Sequence, residues 1–139
     1  MTVPHPSFRL PAVMRDEIVA HARAEVPREC CGVILGRNGD LIELRRLTNI
    51  YPGNDFYEPD AGELYRLLVE TDQSGTEIAA IYHSHPVSRA YPSERDVEYA
   101  GWPESVYLIC SLEHPDLPVI RAYRIVDGRI TELTIRASE

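Results

Sequence analysis

The sequence predicts an α/β (α+β) fold, a mixed β-sheet flanked by helices. Two dipeptides suited to tight hairpin turns, Asn38-Gly39 and Asp127-Gly128, each lie between β-rich runs, which demands antiparallel pairing. Other β-rich runs follow stretches with helical spacing of apolar residues, so about three helices interleave with about six strands. A purely parallel winding is thereby excluded. The 139 residues, 44% hydrophobic and 26% charged, have the composition of an ordinary globular domain. No repeat, low-complexity tract or linker interrupts them, so one domain over residues 1–139 is expected. A chain of this size buries roughly two-thirds of its extended surface, enough for a core without metal or disulfide staples.

From Pro11 to Glu25 the apolar residues Met14, Ile18 and Ala22 recur every four positions, with Pro11 suited to a first helical turn and Pro27 to the exit. The next two strands, Cys30 to Leu35 and Leu41 to Leu47, flank Asn38-Gly39. The connection Asn49 to Pro59 carries Gly53 and three aromatics, Tyr51, Phe56 and Tyr57. Such a loop either grips a ligand or packs its rings over the core edge. Asp60 caps a second helix, Glu63 completes a capping-box-like pair, and Leu64, Leu67, Leu68 and Thr71 trace its inward face as far as Gly75. Ile78 to His83 is an apolar strand, followed by the irregular HSHPVSRAYPSERD and a short helix from Ser93 to about Gly101. Val106 to Ser111 is the next strand, and Val119 to Val126 with Ile130 to Ile135 form the closing hairpin.

Fourteen basic against twenty-two acidic residues give a net charge of −8, with no Lys/Arg cluster to track a phosphate backbone. Nucleic acid is not an expected partner. The first twenty residues lack a basic start followed by an unbroken apolar run, and nowhere do 18 apolar residues stand in sequence, so neither an export signal nor a membrane span is expected. Cys30, Cys31 and Cys110 are odd in number and two are adjacent, a pattern of reduced thiols in a cytoplasmic protein.

The chemistry centres on His83 and His85. Two residues apart at a strand end, they direct both imidazoles to one face and Ser84 to the other. Asp96 follows eleven residues after His85 on the first turn of a helix, so a loop reversing after Pro86 returns its carboxylate to the imidazoles. Two nitrogens and one oxygen suit Zn2+ and leave its fourth position open for water, the mark of a catalytic rather than a structural site. A bare His-x-His is weak evidence by itself.

The wider string is more specific. His83-Ser84-His85-Pro86, six intervening residues, Ser93, two more and Asp96 resembles, position for position, the signature of the JAMM (MPN-type) zinc metalloproteases. Glu29, just before Cys30-Cys31-Gly32 on the first predicted sheet strand, matches the upstream glutamate of that family. The resemblance runs from the first helix through PRECCGVILG, TNIYPGNDFYEPDAGELY and IYHSHPVSRAYPSERD to AYRIVDGRITE. It is strongest to the compact bacterial branch and, within that branch, to the actinobacterial sulfur-carrier-protein cysteine hydrolases, which release cysteine from the C-terminal glycine of a ubiquitin-like carrier.

The resemblance implies a cytidine-deaminase-like fold, one catalytic Zn2+ held by His83, His85 and Asp96, Glu29 as the proton shuttle and Ser93 as an oxyanion donor. Ser93 is equally suited to cap the helix that carries Asp96. The implied partner is a ubiquitin-like sulfur-carrier protein with a Gly-Gly tail, and a homodimer fits the family. Alternative activities are C-terminal processing of a carrier, cleavage of other carrier adducts, or a metal-free scaffold. A cysteine nucleophile is disfavoured because Cys31 and Cys110 sit in apolar runs. A zinc deaminase would need His-x-Glu and Pro-Cys-x-x-Cys, and neither occurs. His5, His21 and His114 have no partners at ligand spacing and are expected at the surface.

Overall fold

The structure, a computed structural model that describes residues 6–138, follows the predicted alternation and adds one strand. In chain order the elements are β1 (Ser7–Pro11), α1 (Ala12–Glu25), β2 (Cys31–Arg37), β3 (Asp40–Leu47), α2 (Ala61–Ser74), β4 (Glu77–His85), α3 (Glu94–Glu98), β5 (Val106–Ser111), β6 (Val119–Val126) and β7 (Arg129–Ser138). Strand β1 is the addition. Pro11 ends it and stands as the N-cap of α1 at φ −59° and ψ 141°, rather than inside the first helical turn. The φ that proline fixes suits both roles; parallel pairing of Ser7–Pro11 with Thr134–Ser138 decides between them.

One seven-stranded sheet runs β1-β7-β6-β5-β4-β2-β3. Its β1–β7 and β4–β5 pairs are parallel, and the other four are antiparallel. Both hairpin dipeptides form their turns, with Asn38 and Asp127 at φ 52° and 51° and Gly39 and Gly128 at 86° and 78°.

Burial on both faces of the sheet explains the continuous apolar runs of β2, β4 and β5. On one face Ile18, Val19 and Ala22 of α1 pack with Cys30, Ile34, Tyr82, Leu108, Cys110 and Ala122. Gly32 leaves room there for Tyr82, whose ring a Cβ at that position would overlap. His21 belongs to the same layer, buried and with Nδ1 2.7 Å from the Tyr82 hydroxyl, which corrects the expectation that it is a surface residue. His114 is exposed as expected, and His5 lies outside the described residues.

On the opposite face Leu67 of α2 joins Cys31, Val33, Ile81, Tyr107, Ile109 and Tyr123, with Tyr57, Leu64, Val97 and Trp102 around them. Leu68, assigned to the inward side of α2, is instead 38% exposed. Asp60 caps α2 by accepting from Glu63 N at 2.9 Å, but the reciprocal half of the box is absent. Thr48 takes both partners: Asp60 N donates to Thr48 O at 2.9 Å, while the Glu63 carboxylate accepts from Thr48 N at 2.8 Å and Oγ1 at 2.6 Å. This exchange ties α2 to the chain leaving β3.

Candidate active site

The alternation of β4 separates its terminal residues as the sequence requires. Ser84 faces α1 and its hydroxyl accepts from Cys30 N at 2.8 Å. His83 and His85 face the α2/α3 side, where both are buried. The loop after His85 is turned back by Ser111, whose hydroxyl donates to Ser88 O at 2.6 Å, and by Leu112 N, which donates to His85 O at 3.0 Å. It delivers Ser93 as the N-cap of α3. A full capping box forms, with Asp96 N donating to Ser93 Oγ at 3.0 Å and Ser93 N donating to Asp96 Oδ2 at 2.9 Å.

That box fixes the Asp96 carboxylate where the histidines meet. Asp96 Oδ2 lies 3.1 Å from His83 Nε2 and 3.0 Å from His85 Nε2, and the two Nε2 atoms are 3.2 Å apart. Such a near-equilateral triangle has the shape of one face of a tetrahedron around a metal ion with bonds of about 2 Å. The tautomer of His85 supports this reading. Its Nδ1 lies 2.9 Å from the Arg89 carbonyl, which can only accept, so Nδ1 carries the proton. With Nδ1 protonated, Nε2 faces a carboxylate oxygen 3.0 Å away, an arrangement favourable with a cation, a second proton or a metal ion, between them.

The three groups differ in their electrostatics. Burial depresses His83 below the ordinary imidazole range and outweighs the pull of Asp96, so this ring is held neutral, as a ligand must be. Burial also acts to lower His85, but hydrogen bonding to Asp96 and to the Arg89 carbonyl reverses the sign and raises it. Burial acts to raise Asp96; His83 and His85 overcome it and hold the carboxyl ionised, far below the carboxylate range.

Glu29 stands one residue before Cys30, outside β2 rather than on it. Its backbone carbonyl accepts from Asn49 Nδ2 at 2.8 Å, and Asn49 Oδ1 accepts from Tyr51 N at 2.9 Å and Glu58 N at 3.0 Å. One asparagine thus anchors the 49–59 loop to the residue carrying the carboxylate. Arg28 donates to the carbonyls of Asn49 and Tyr51 from the same side. Glu29 Oε1 is buried without a hydrogen-bond partner, and burial pushes this carboxyl up to about 8, with His85 and Arg95 opposing and Asp96 and Asp55 reinforcing the shift. Ligand atoms of Glu29, His83 and His85 all lie within 4.8 Å of one another, a cluster able to hold a metal ion. Asp96 lies within hydrogen-bond distance of both imidazoles, whereas the Glu29 side chain makes no hydrogen bond to either.

The three cysteines are free and buried. Burial pushes Cys30 and Cys31 up to about 12 and Cys110 up to about 11, which keeps them protonated and removes any thiolate nucleophile. Of the two roles open to the aromatic loop, the packing of rings over the core edge is observed. Tyr57 packs against the core and also stacks on His83, with ring centroids 4.5 Å apart and planes at 22°. Beside it Tyr51, Phe56, Tyr99 and Trp102 line a cavity of about 440 Å3 with Arg95 at its wall. The positions of Asn49 and Arg28 were not foreseen, because both act through backbone groups distant in sequence.

Residues 11–126 match the family of prokaryotic homologues of the JAB domain. The CysO-cysteine peptidase of Mycobacterium tuberculosis is 37% identical over 126 residues, covering 89% of this chain and 86% of that protein. A desampylase of Haloferax volcanii is 37% identical over 113 residues, covering 73% of this chain and 78% of its own. The solution structure of a protein from Desulfitobacterium hafniense superposes with a TM-score of 0.83 at 29% identity, covering 95% of this chain and 93% of that one. Extensive identity to these relatives and a shared fold place the chain in the prokaryotic JAB-domain family, within the JAMM/MPN superfamily.

Proposed function

We propose that the chain is a zinc metallopeptidase that hydrolyses the bond after the C-terminal Gly-Gly of a ubiquitin-like sulfur carrier and releases cysteine from a carrier-cysteine adduct. The substrate follows from the likeness to a CysO-cysteine peptidase over 89% of the chain. The observation that carries the chemistry is the unpartnered, buried Glu29 Oε1 beside the donor triangle of His83, His85 and Asp96.

His83, His85 and Asp96 would hold Zn2+, which supplies a water acidified toward neutral pH and a Lewis acid for the scissile carbonyl. Glu29 takes a proton at its free carboxylate oxygen and returns it to the departing amine. A carboxyl with no competing hydrogen bond is free to alternate between these states. Ser93 serves twice. Its oxygen accepts from Asp96 N, leaving the hydroxyl hydrogen to donate to the oxyanion of the tetrahedral intermediate. The glycine tail, lacking side chains, lies extended near the 49–59 loop and makes backbone hydrogen bonds there.

The likeness to a desampylase favours a second reading, cleavage of carrier adducts on other proteins by the same groups. Intact-mass spectrometry separates the two. A carrier bearing a C-terminal cysteine is incubated with the zinc-loaded protein, and loss of one cysteine residue supports the first reading. No change in mass, alongside cleavage of a carrier linked to a lysine side chain, moves the assignment to the second.

A further inference from the structure

Among the described residues, Arg95 is the guanidinium whose charge acts on the Glu29 carboxyl. It precedes Asp96 on α3 and reaches the 49–59 loop. There its carbon Cζ lies 4.3 Å from the centroid of the Phe56 ring and 5.2 Å from that of Tyr51, and Nη1 donates to the Tyr51 hydroxyl at 3.1 Å. Because Asn49 and Arg28 fasten this stretch of the loop beside Glu29, the guanidinium is tied through Tyr51 to the segment that carries the carboxylate.

Its charge is only loosely met. The nearest carboxylate, Asp55, is 3.8 Å away with its side chain 77% exposed, and the Arg95 side chain is itself 42% exposed. A guanidinium has five N–H donors, and the Tyr51 hydroxyl engages one, so most remain open to a planar anion. The stacked rings fix the direction of the fork, which reduces the cost of ordering it on binding.

The proposed function, on which this inference rests, says which anion arrives. Glu29 returns its proton to the leaving amine, so the leaving residue lies on the Glu29 side. In a C-terminal cysteine the α-carboxylate hangs from the same carbon as that amine; in a lysine-linked adduct the amine ends a methylene chain and no carboxylate accompanies it. We propose that Arg95 reads the free α-carboxylate of the leaving cysteine and thereby selects an α-linked C-terminal residue over a lysine-linked adduct.

The test compares kcat/KM for a carrier ending in Gly-Gly-Cys with a free carboxylate and for the same carrier ending in the cysteine carboxamide. The zinc-loaded wild type is expected to prefer the acid by about tenfold or more, the worth of a charge-assisted hydrogen bond. In Arg95→Met the ratio falls to about one, and in Arg95→Lys, which keeps the charge without the fork, it is intermediate. Melting temperature and metal content verify that the variants are folded and loaded. The Kd ratio for the two carriers on metal-free protein is expected to follow the same order. If Arg95 only straps the loop, its loss slows both substrates alike and leaves the ratio intact, which overturns the proposal. Equal cleavage of both carriers by the wild type overturns it while the proposed function stands. Cleavage of neither overturns both.

Discussion

Tyr57 lies stacked on His83 at 4.5 Å between ring centroids, and this contact stands where a hydrogen bond to the ring is expected. A ligating histidine ordinarily donates its second nitrogen to a carboxylate, carbonyl or water that fixes its orientation. His85 does so through the Arg89 carbonyl. His83 Nδ1 is buried with no partner, so packing against Tyr57 takes the place of a hydrogen bond on that side of the ring.

In the proposed metal site, removing the Tyr57 ring therefore loosens one ligand, His83. Tyr57→Ala is expected to weaken metal affinity about tenfold or more, the usual effect of losing a ligand's supporting contact, whereas Tyr57→Phe, which keeps the stacked face, stays near wild type. Competition with a chromogenic chelator measures both. Equal affinity for all three proteins would show that the stack does not orient His83.

Ser93 joins stability to catalysis, and the two roles separate in one variant. Ser93→Ala removes the acceptor for Asp96 N and costs about 1 kcal/mol of stability in urea unfolding. If the proposed mechanism holds, the same change takes away the oxyanion donor, and kcat is expected to fall about 100-fold with little change in KM. A loss of stability with undiminished kcat would confine Ser93 to the cap.

Gly32 is required by a neighbour rather than by a turn. A Cβ there overlaps the ring of Tyr82, which is fully buried between β2 and α1. Gly32→Ala is expected to cost about 3 kcal/mol through overpacking, read from the urea midpoint. A midpoint within error of wild type would mean that Tyr82 has room to move.

His21 sets a pH dependence away from the metal ligands. Burial, helped by Arg46 and opposed by Glu25 and Glu17, lowers this imidazole below its ordinary 6.5. On acidification the unfolded chain takes up the proton first, so the stability His21 contributes is present above pH 6.5 and lost as pH falls below it. The unfolding free energy of wild type minus that of His21→Gln should shrink between pH 7.5 and pH 5.5. A difference independent of pH would show that His21 titrates alike in both states.

The sequence made some of this legible and hid the rest for physical reasons. Alternation along β4 put His83 and His85 on one face and Ser84 on the other, and the spacing to Ser93 and Asp96 held because each is set by a local rule, the pleat and the helix cap. Strand β1 was hidden because its five residues pair in parallel with the far end of the chain, a partner no local pattern reveals. Glu63 looked like half of a capping box, yet Thr48 outcompetes the Asp60 backbone for its carboxylate. His21 reads as a helix-surface residue until Tyr82, 61 positions away, supplies a buried hydroxyl. The stack of Tyr57 on His83 and the reach of Arg95 to Phe56 are likewise long-range.

The central claim is that Glu29 moves a proton and does not hold the metal, although its carboxylate lies within the same 4.8 Å cluster as both histidines. Zinc content and turnover of Glu29→Gln, measured on one preparation beside wild type, test it most directly. Glu29→Gln is expected to hold a full equivalent of zinc with kcat reduced at least 100-fold, the range for loss of a general acid and base. Loss of zinc together with activity would make Glu29 a ligand, and undiminished turnover with zinc bound would remove it from the chemistry.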